Sequence, residues 1–256
     1  IENNLENFDN TEKLLKIVNY AIEKVPYYAN YPKISSIKEF QDKISFIDRN
    51  VISDNFKSLQ SEEIIPDKFD LVTTGGTTGK PLKLLLPKNR FIIEKATVHT
   101  LWKNVGFNHH SRAVLRNHKI PMNKIFNVNP ITKEYLFDGF RLDDNYFQEV
   151  YRIIKQKKIR YIHAYPSNAY AFSKFIDKFN LDSSIVRAFI SSSENVYDYQ
   201  KDFIENIVGI KIFTFFGHSE KIIIGGYCTH NDVYHMEPTY GYFELIDKKG
   251  EPITEI

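Results

Sequence analysis

Leu71-Val-Thr-Thr-Gly-Gly-Thr-Thr-Gly-Lys-Pro81 decides how this chain is read. A short apolar run enters it, three glycines and four threonines fill it, and Leu82 to Leu86 leaves it as a second apolar run. The pattern predicts a strand, a loop and a strand. Glycine lets the backbone turn sharply and approach a ligand closely. The hydroxyls of Thr74, Thr77 and Thr78, with the free N–H groups of Gly75, Gly76 and Gly79, make a nest of donors suited to an anion, above all a polyphosphate.

The spacing argues against the commonest phosphate loop. A Walker A loop has four residues between its first Gly and its Gly-Lys, then Ser or Thr, then a helix. Here Gly75 and Gly79 enclose only three residues, Pro81 follows Lys80, and the next segment is β-like. The plainer account is a Gly/Thr-rich hairpin with no ligand, since such turns are common between strands.

Outward from the loop, the chain alternates. Ile159 to Ala164, Val186 to Ser191 and Ile210 to Phe215 read as strands, with helices over Ser167 to Phe179 and Val196 to Val208 between them. That order predicts a parallel sheet. Ligands in such sheets bind at the carboxyl ends of the strands. Ser191-Ser-Ser-Glu194 and Phe216-Gly-His-Ser-Glu220 both fall at those ends, which makes a nucleotide-sized site there the expectation.

Before the loop, residues 1–68 form a helical segment. Leu14, Leu15, Val18, Ile22 and Val25 make an amphipathic stripe over Thr11 to Val25, with Thr11 as N-cap and Pro26 as the stop. Two short helices flank Phe46-Ile47-Asp48. After the loop, a helix over about 91–105 ends at Gly106, followed by a strand at Arg112 to Leu115 and an irregular stretch at Lys119 to Ile131. Tyr135 to Phe140 reads as a strand. Asp143 or Asp144 caps a helix whose end carries Lys155-Gln-Lys-Lys158, a basic cluster that complements the helix dipole. Beyond Glu220 the signal is β, over Ile222 to Tyr227, Val233 to Met236 and Tyr240 to Ile246.

Composition bounds the function. With 256 residues, 42% of them hydrophobic, the chain can bury a sizeable core in one large domain or two small ones. A net charge of +2 with interleaved signs gives no electrostatic case for nucleic acid or an acidic membrane. One cysteine excludes an internal disulfide, no apolar run is long enough to span a membrane, and no signal peptide is visible. The expectation is a soluble, cytoplasmic protein; its oligomeric state is not readable. His109, His110 and His118 lack the spacing of helix-borne metal ligands.

Four ordered stretches carry a family resemblance. Thr73 to Pro81 resembles the phosphate-binding signature of adenylate-forming enzymes, and Ile190 to Asn195 is similar to their adenine-binding segment. Phe215-Phe-Gly-His-Ser-Glu220 resembles their aromatic-Gly-x-Thr/Ser-Glu motif, and Ala164-Tyr-Pro-Ser167 the start of the helix bordering their acyl pocket. Val25-Pro-Tyr-Tyr28 and Gly217-His-Ser-Glu220 point to the branch of phenylacetate–coenzyme A ligases and related adenylate-forming proteins of capsular polysaccharide biosynthesis. The resemblance implies an α/β fold of layered mixed sheets with flanking helices. Residues 1–256 would be the N-terminal, large domain, ending before the family's ribose-binding Asp and its mobile C-terminal domain with a catalytic Lys. A fragment of that kind is expected to turn over weakly or not at all.

The resemblance also implies roles. ATP and a small-molecule carboxylic acid would give an acyl-adenylate and pyrophosphate, and the acyl group would pass to coenzyme A or to another acceptor such as a sugar amine. Glu220 takes the place of the magnesium-binding glutamate, and Lys80 is a further cation near the phosphates. Phe215 or Phe216 would offer adenine a flat face, with Ser192, Ser193 and Glu194 on the other side and Gly217 and Ser219 completing the motif. His218 stands at the variable position, where it touches the carboxylate or phosphate, or is structural. The acyl pocket would lie near Tyr165, Ser191 and Ile224-Gly225-Gly226, the paired glycines marking close ligand approach or a bulge. Cys228 and His235 match the spacing of a zinc pair in some ligases of the branch, with His230 as a further ligand; the plainer account is a buried thiol and a strand histidine. A non-catalytic module that binds nucleotide or a partner is the alternative, and a Walker-type NTPase a third that the loop spacing disfavours.

Overall fold

The computed structural model describes residues 9–74, 81–228 and 233–253. The candidate residues Gly75, Gly76, Thr77, Thr78, Gly79, Lys80 and His230 therefore lie outside the described residues. The chain forms two compact units. One comprises Ile1–Glu94, His218–Ile224 and Glu237–Ile256; the other comprises Lys95–Gly217 and Gly225–Met236.

The first unit opens with three helices, α1 (Thr11–Lys24), α2 (Ile37–Lys43) and α3 (Arg49–Asp54). Thr11 is the first helical residue of α1 rather than its cap, because the Asp9 carboxylate accepts from the Thr11 N–H at 2.7 Å. Ser36 and Asp48 cap α2 and α3 through their side chains. Two strands follow, β1 (Phe69–Thr73) and β2 (Lys83–Pro87), paired antiparallel from Phe69↔Pro87 to Thr73↔Lys83. The Gly/Thr loop thus joins the two strands of a hairpin. Tyr240 to Ile246, expected as a strand, is not one. It is held by side chains instead: Tyr242 meets the Phe40 ring edge-on, and Gln41 donates to Glu244 at 2.7 Å.

The second unit begins within α4 (Arg90–Trp102) and is built on a sheet of eight strands. These are β3 (Arg112–Leu115), β4 (Phe126–Asn129), β5 (Glu134–Phe137), β6 (Tyr161–Ala164), β7 (Ala188–Ser191), β8 (Lys211–Gly217), β9 (Ile224–Cys228) and β10 (Val233–Met236), in the order β10-β9-β8-β7-β6-β3-β5-β4. The pairs β5/β3, β3/β6, β6/β7 and β7/β8 are parallel, and the edge pairs β4/β5 and β9/β10 are antiparallel. Edge strand β4 falls in the stretch expected to be irregular. Its Asn127 and Val128 are exposed, so it carries no buried alternation to read.

Helices α5 (Asp144–Gln156), α6 (Pro166–Lys178) and the short α7 (Asp198–Asp202) complete the unit, α7 running on into a π-helical turn, Phe203–Ile207. Asp143 is the N-cap of α5, and Phe147, Val150, Tyr151 and Ile154 are all buried, as its apolar stripe requires. They pack with Phe172, Phe175, Ile162 and Phe189 into one core. No described helix is long and apolar enough to cross a membrane.

His99, on α4, is held neutral. Burial first, then the charges of Arg112 and His109, lowers its pKa from 6.5 to about 4. Between those values the unfolded chain binds a proton there that the folded chain does not, so stability falls as pH drops through the window. Chemical denaturation at a series of pH values should show a shallower acid loss for His99→Gln than for the unsubstituted chain. An unchanged slope would contradict this assignment.

Candidate functional site

The sheet register lines up the carboxyl ends of four neighbouring strands. Leu115, Ala164, Ser191 and Thr214 stand side by side across β3, β6, β7 and β8. The residues that follow them, Arg116, Tyr165, Ser192 and Phe215, therefore emerge together at one edge.

Arg116 organises this edge. Its guanidinium donates to His163 Nε2 at 2.8 Å and to Ser193 Oγ at 2.9 Å, and lies 4.6 Å from the centre of the Tyr165 ring. Arginine only donates, so His163 Nε2 accepts and the proton of the neutral ring sits on Nδ1. Burial first, then the charges of Arg116, Arg112 and His118, holds His163 well below its ordinary pKa. Ser193 adopts φ +71°, a left-handed conformation uncommon for a non-glycine residue, at the point where β7 ends. Glu194 accepts from the Ser167 N–H at 3.1 Å, in the first turn of α6, so its carboxylate serves as a helix cap in this conformation. Ser191 is fully buried, and among the described residues its hydroxyl has no hydrogen-bond partner.

The two phenylalanines diverge. Phe215 packs near Trp102 and His163, with ring centres 6.1 and 6.4 Å away. Phe216, on the opposite face of β8, is 46% exposed. A cavity of about 410 Å³ opens beside this strand, lined by Asn195, Lys201, Thr214, Tyr227 and Tyr234 among others. Its polar wall is tied together by Thr214 Oγ1 and Tyr234 OH at 2.9 Å and by Lys201 donating to Tyr227 OH at 3.1 Å.

Gly225 and Gly226 sit in a regular β9/β10 ladder opposite Met236 and His235, so there is no bulge at this pair. A Cβ on Gly226 would lie 3.1 Å from Leu101 and 3.3 Å from Phe213; one on Gly225 would lie 2.7 Å from the Met236 sulfur. Side chains of the protein itself occupy the space beside both glycines. Cys228 and His235 share a face of the ladder as diagonal neighbours, and among the described residues no group of three His, Cys, Asp or Glu side chains is arranged to hold a metal.

The first unit holds the remaining calls. Thr74 continues the hairpin: its N–H donates to the Leu82 carbonyl at 3.0 Å, and its hydroxyl accepts from the Leu82 N–H at 3.1 Å and from Arg49 at 3.2 Å. Glu220 Oε2 accepts from His218 Nδ1 at 2.7 Å. Glu220 is half-buried and its other oxygen is not engaged by a described residue; hard carboxylate oxygen of this kind fits magnesium. The next residue, Lys221, is fixed on three sides: its carbonyl accepts from Arg90 Nε at 2.8 Å, its ammonium pairs with Glu94, and it lies over the Phe91 ring.

Arg116 and His163 were not among the residues singled out from the sequence. The signal for Arg116 was its place directly after a predicted strand; His163 lies within a strand, where a polar residue reads as ordinary alternation.

No protein-family model and no curated protein sequence matches the chain. Solved structures do. A 2-hydroxyisobutyryl-CoA ligase in an open conformation with 2-HIB-AMP and CoA superposes with a TM-score of 0.58 at 12% identity, covering 84% of this chain and 55% of the ligase. The same ligase with 2-HIB-AMP and CoA in the thioesterification state gives 0.60 at 15% identity, over 84% and 50%. The two share one fold. The chain spans about half the length of the ligase it matches.

Proposed function

We propose that this chain is the larger-domain part of an AMP-forming ligase that activates a carboxylic acid with ATP as an acyl-adenylate, releases pyrophosphate, and passes the acyl group to coenzyme A. The observation that carries the reading is the edge where Arg116 joins His163, Tyr165 and Ser193, at the strand ends where such a fold binds ligands, with the exposed Phe216 on the other face of β8. In this reading Phe216 stacks on adenine, and the segment Ser192–Glu194 lines the base. The acid lies toward Tyr165 and the Trp102–Phe215 aromatic pair, which suits an aryl acid as in the phenylacetate–coenzyme A ligase branch. Ser191, in register with Thr214, lies on the other face of the sheet. Arg116 is a positioning residue, holding His163, Ser193 and Tyr165 in register.

A carboxylate is a poor electrophile, so the protein must orient it in line with the α-phosphate and screen the phosphate charge. Thr74, Gly75, Gly76, Thr77, Thr78, Gly79 and Lys80 are assigned to the phosphates, with Gly217, His218 and Ser219 carrying Glu220. Magnesium, when bound, neutralises charge on the phosphate oxygens; Glu220 is the residue that would hold it. A cytoplasmic location, and a sugar amine of capsule biosynthesis as an alternative acceptor, belong to the same reading. A structural zinc on Cys228 and His235 would need ligands from elsewhere.

The test is equilibrium binding of non-hydrolysable acyl-sulfamoyl-adenosine mimics to the chain. Base–aromatic stacking contributes about 1–3 kcal/mol, so Phe216→Ala should weaken binding roughly 5- to 150-fold. Aryl mimics should bind more tightly than short aliphatic ones. No binding of any mimic would contradict the reading.

A further inference from the structure

We propose that a second cavity, at the amino ends of β3, β6 and β7, binds a phosphate-bearing small molecule through a phosphomonoester or diphosphate group. It lies within the second unit, at the opposite ends of the strands from Arg116 and Ser193, and does not depend on the acyl-adenylate reading. Its volume is about 420 Å³.

Four cations line it: Lys157 and Lys158 where α5 ends, Arg160 just before β6, and Arg187 just before β7. No carboxylate lines the cavity, and none of the four is ion-paired with a described residue. In a chain of net charge +2 this is a local excess of one sign. Complementing the α5 dipole accounts for Lys155, which stands in the last turn of the helix. It does not account for the rest. The carbonyls of Ile153, Ile154 and Lys155 are already taken by backbone N–H groups as the chain turns through Lys158 at φ +53°. Arg160 and Arg187 precede strands that have no part in capping the helix.

The cationic groups stand on a fixed floor. Tyr161 is 1% exposed and donates to the Gly106 carbonyl at 2.7 Å, and the His110 ring stacks on it, 7° from parallel. The Arg187 guanidinium lies against Gly106, where an added Cβ would stand 2.5 Å from Nη2. Gly106, at φ +78°, therefore both ends the α4 segment and leaves room for this arginine. Ser111 adds a hydroxyl to the wall. Four converging donors that mutually repel are offset by a compact multivalent anion, and phosphate oxygens accept from guanidinium in paired fashion. The volume falls in the range of small-molecule sites, which favours one phosphorylated metabolite over a polymer lying across an open surface.

The experiment is an amide-resolved NMR titration of the chain with inorganic pyrophosphate, at low and near-physiological salt. Saturable shifts are expected at Ser111, Lys158, Arg160 and Arg187, weakening as salt rises. In the double variant Arg160→Gln/Arg187→Gln affinity should fall roughly tenfold or more, and the melting temperature should not drop, because both side chains are exposed. Absence of saturable shifts at those amides, or equal affinity in the double variant, would overturn the proposal. Shifts confined to residues 75–80 would overturn it while leaving the nucleotide reading intact. Tighter binding of a single-stranded oligonucleotide through the same amides would overturn the small-ligand assignment.

Discussion

Gly139→Ala should unseat Arg116 and destabilise the second unit together. A Cβ at Gly139 would fall 1.2 Å from the Arg116 carbonyl oxygen, where no side-chain rearrangement can relieve the clash, because the oxygen is a backbone atom and the backbone fixes the Cβ. The two segments are also hydrogen-bonded around that contact. Gly139 N–H donates to the His118 carbonyl at 3.0 Å, and buried Asn168 donates to the carbonyls of Gly139 and Leu115 at 3.0 and 3.1 Å. Moving the chain apart breaks these bonds and shifts the residue that holds His163, Ser193 and Tyr165. Overpacking of this kind typically costs 1–3 kcal/mol, and a backbone clash belongs at or above the top of that range, so about 3 kcal/mol is expected. For a chain of this size that is a fall in melting temperature of roughly 6–12 °C. Misplacement of a positioning group by about 1 Å should also cost roughly tenfold or more in binding of an acyl-adenylate mimic. Thermal unfolding and mimic titration measure the two effects separately. Unchanged affinity in a folded Gly139→Ala chain would mean that Arg116 does not position the site.

In a form carrying any native sequence that follows residue 256, Glu220→Ala should lower ATP–pyrophosphate exchange by roughly 10²-fold or more, the usual cost of removing one group that stabilises charge in a reacting phosphoryl system. The fold should be little affected. Glu220 is half-buried, its described side-chain bond is to His218, and the neighbouring Lys221 is held independently by Arg90 and Glu94. Surface substitutions of this type stay within about 0.5 kcal/mol. The diagnostic feature is a split. Mimic binding without magnesium should survive, while the dependence of exchange on magnesium concentration should shift or vanish. Glu220→Gln, which keeps the shape and the bond from His218 but removes the charge, should behave like Glu220→Ala. Retained exchange in Glu220→Gln would assign the residue a structural role.

The hairpin and the parallel sheet were legible because their signals are local. Leu71-Val and Leu82 to Leu86 flank a glycine-rich turn, and β6, β7 and β8 are short apolar runs separated by helical periodicity, as found in fully buried parallel strands. Helix α5 announced itself through Asp143 or Asp144 as its cap, and Asp143 is the one used. What failed was non-local. Edge strand β4 has no buried face to pattern, and Tyr240 to Ile246 alternates like a strand but packs through Tyr242 and Glu244 on helix α2. The site followed the same division. Ser191 to Glu194 and Phe216 could be named from their position after strands, whereas the convergence of Arg116 on His163 and Ser193 depends on register across β3, β6 and β7. The paired glycines left two readings open. The structure shows a regular ladder in which Leu101, Phe213 and Met236 fill the space, a packing role that spacing alone does not reveal.

The central claim is that the chain belongs to an enzyme that activates a carboxylic acid on ATP. The most direct measurement is ATP–pyrophosphate exchange, with identification of the nucleotide product, on a form carrying any native sequence that follows residue 256, across aryl, fatty and amino acids. Exchange that requires one class of acid, with AMP as the product, is the expected result. Measurable ATP binding with no exchange for any acid would contradict it and leave a nucleotide-binding module; ADP as the product would contradict it in favour of a phosphohydrolase.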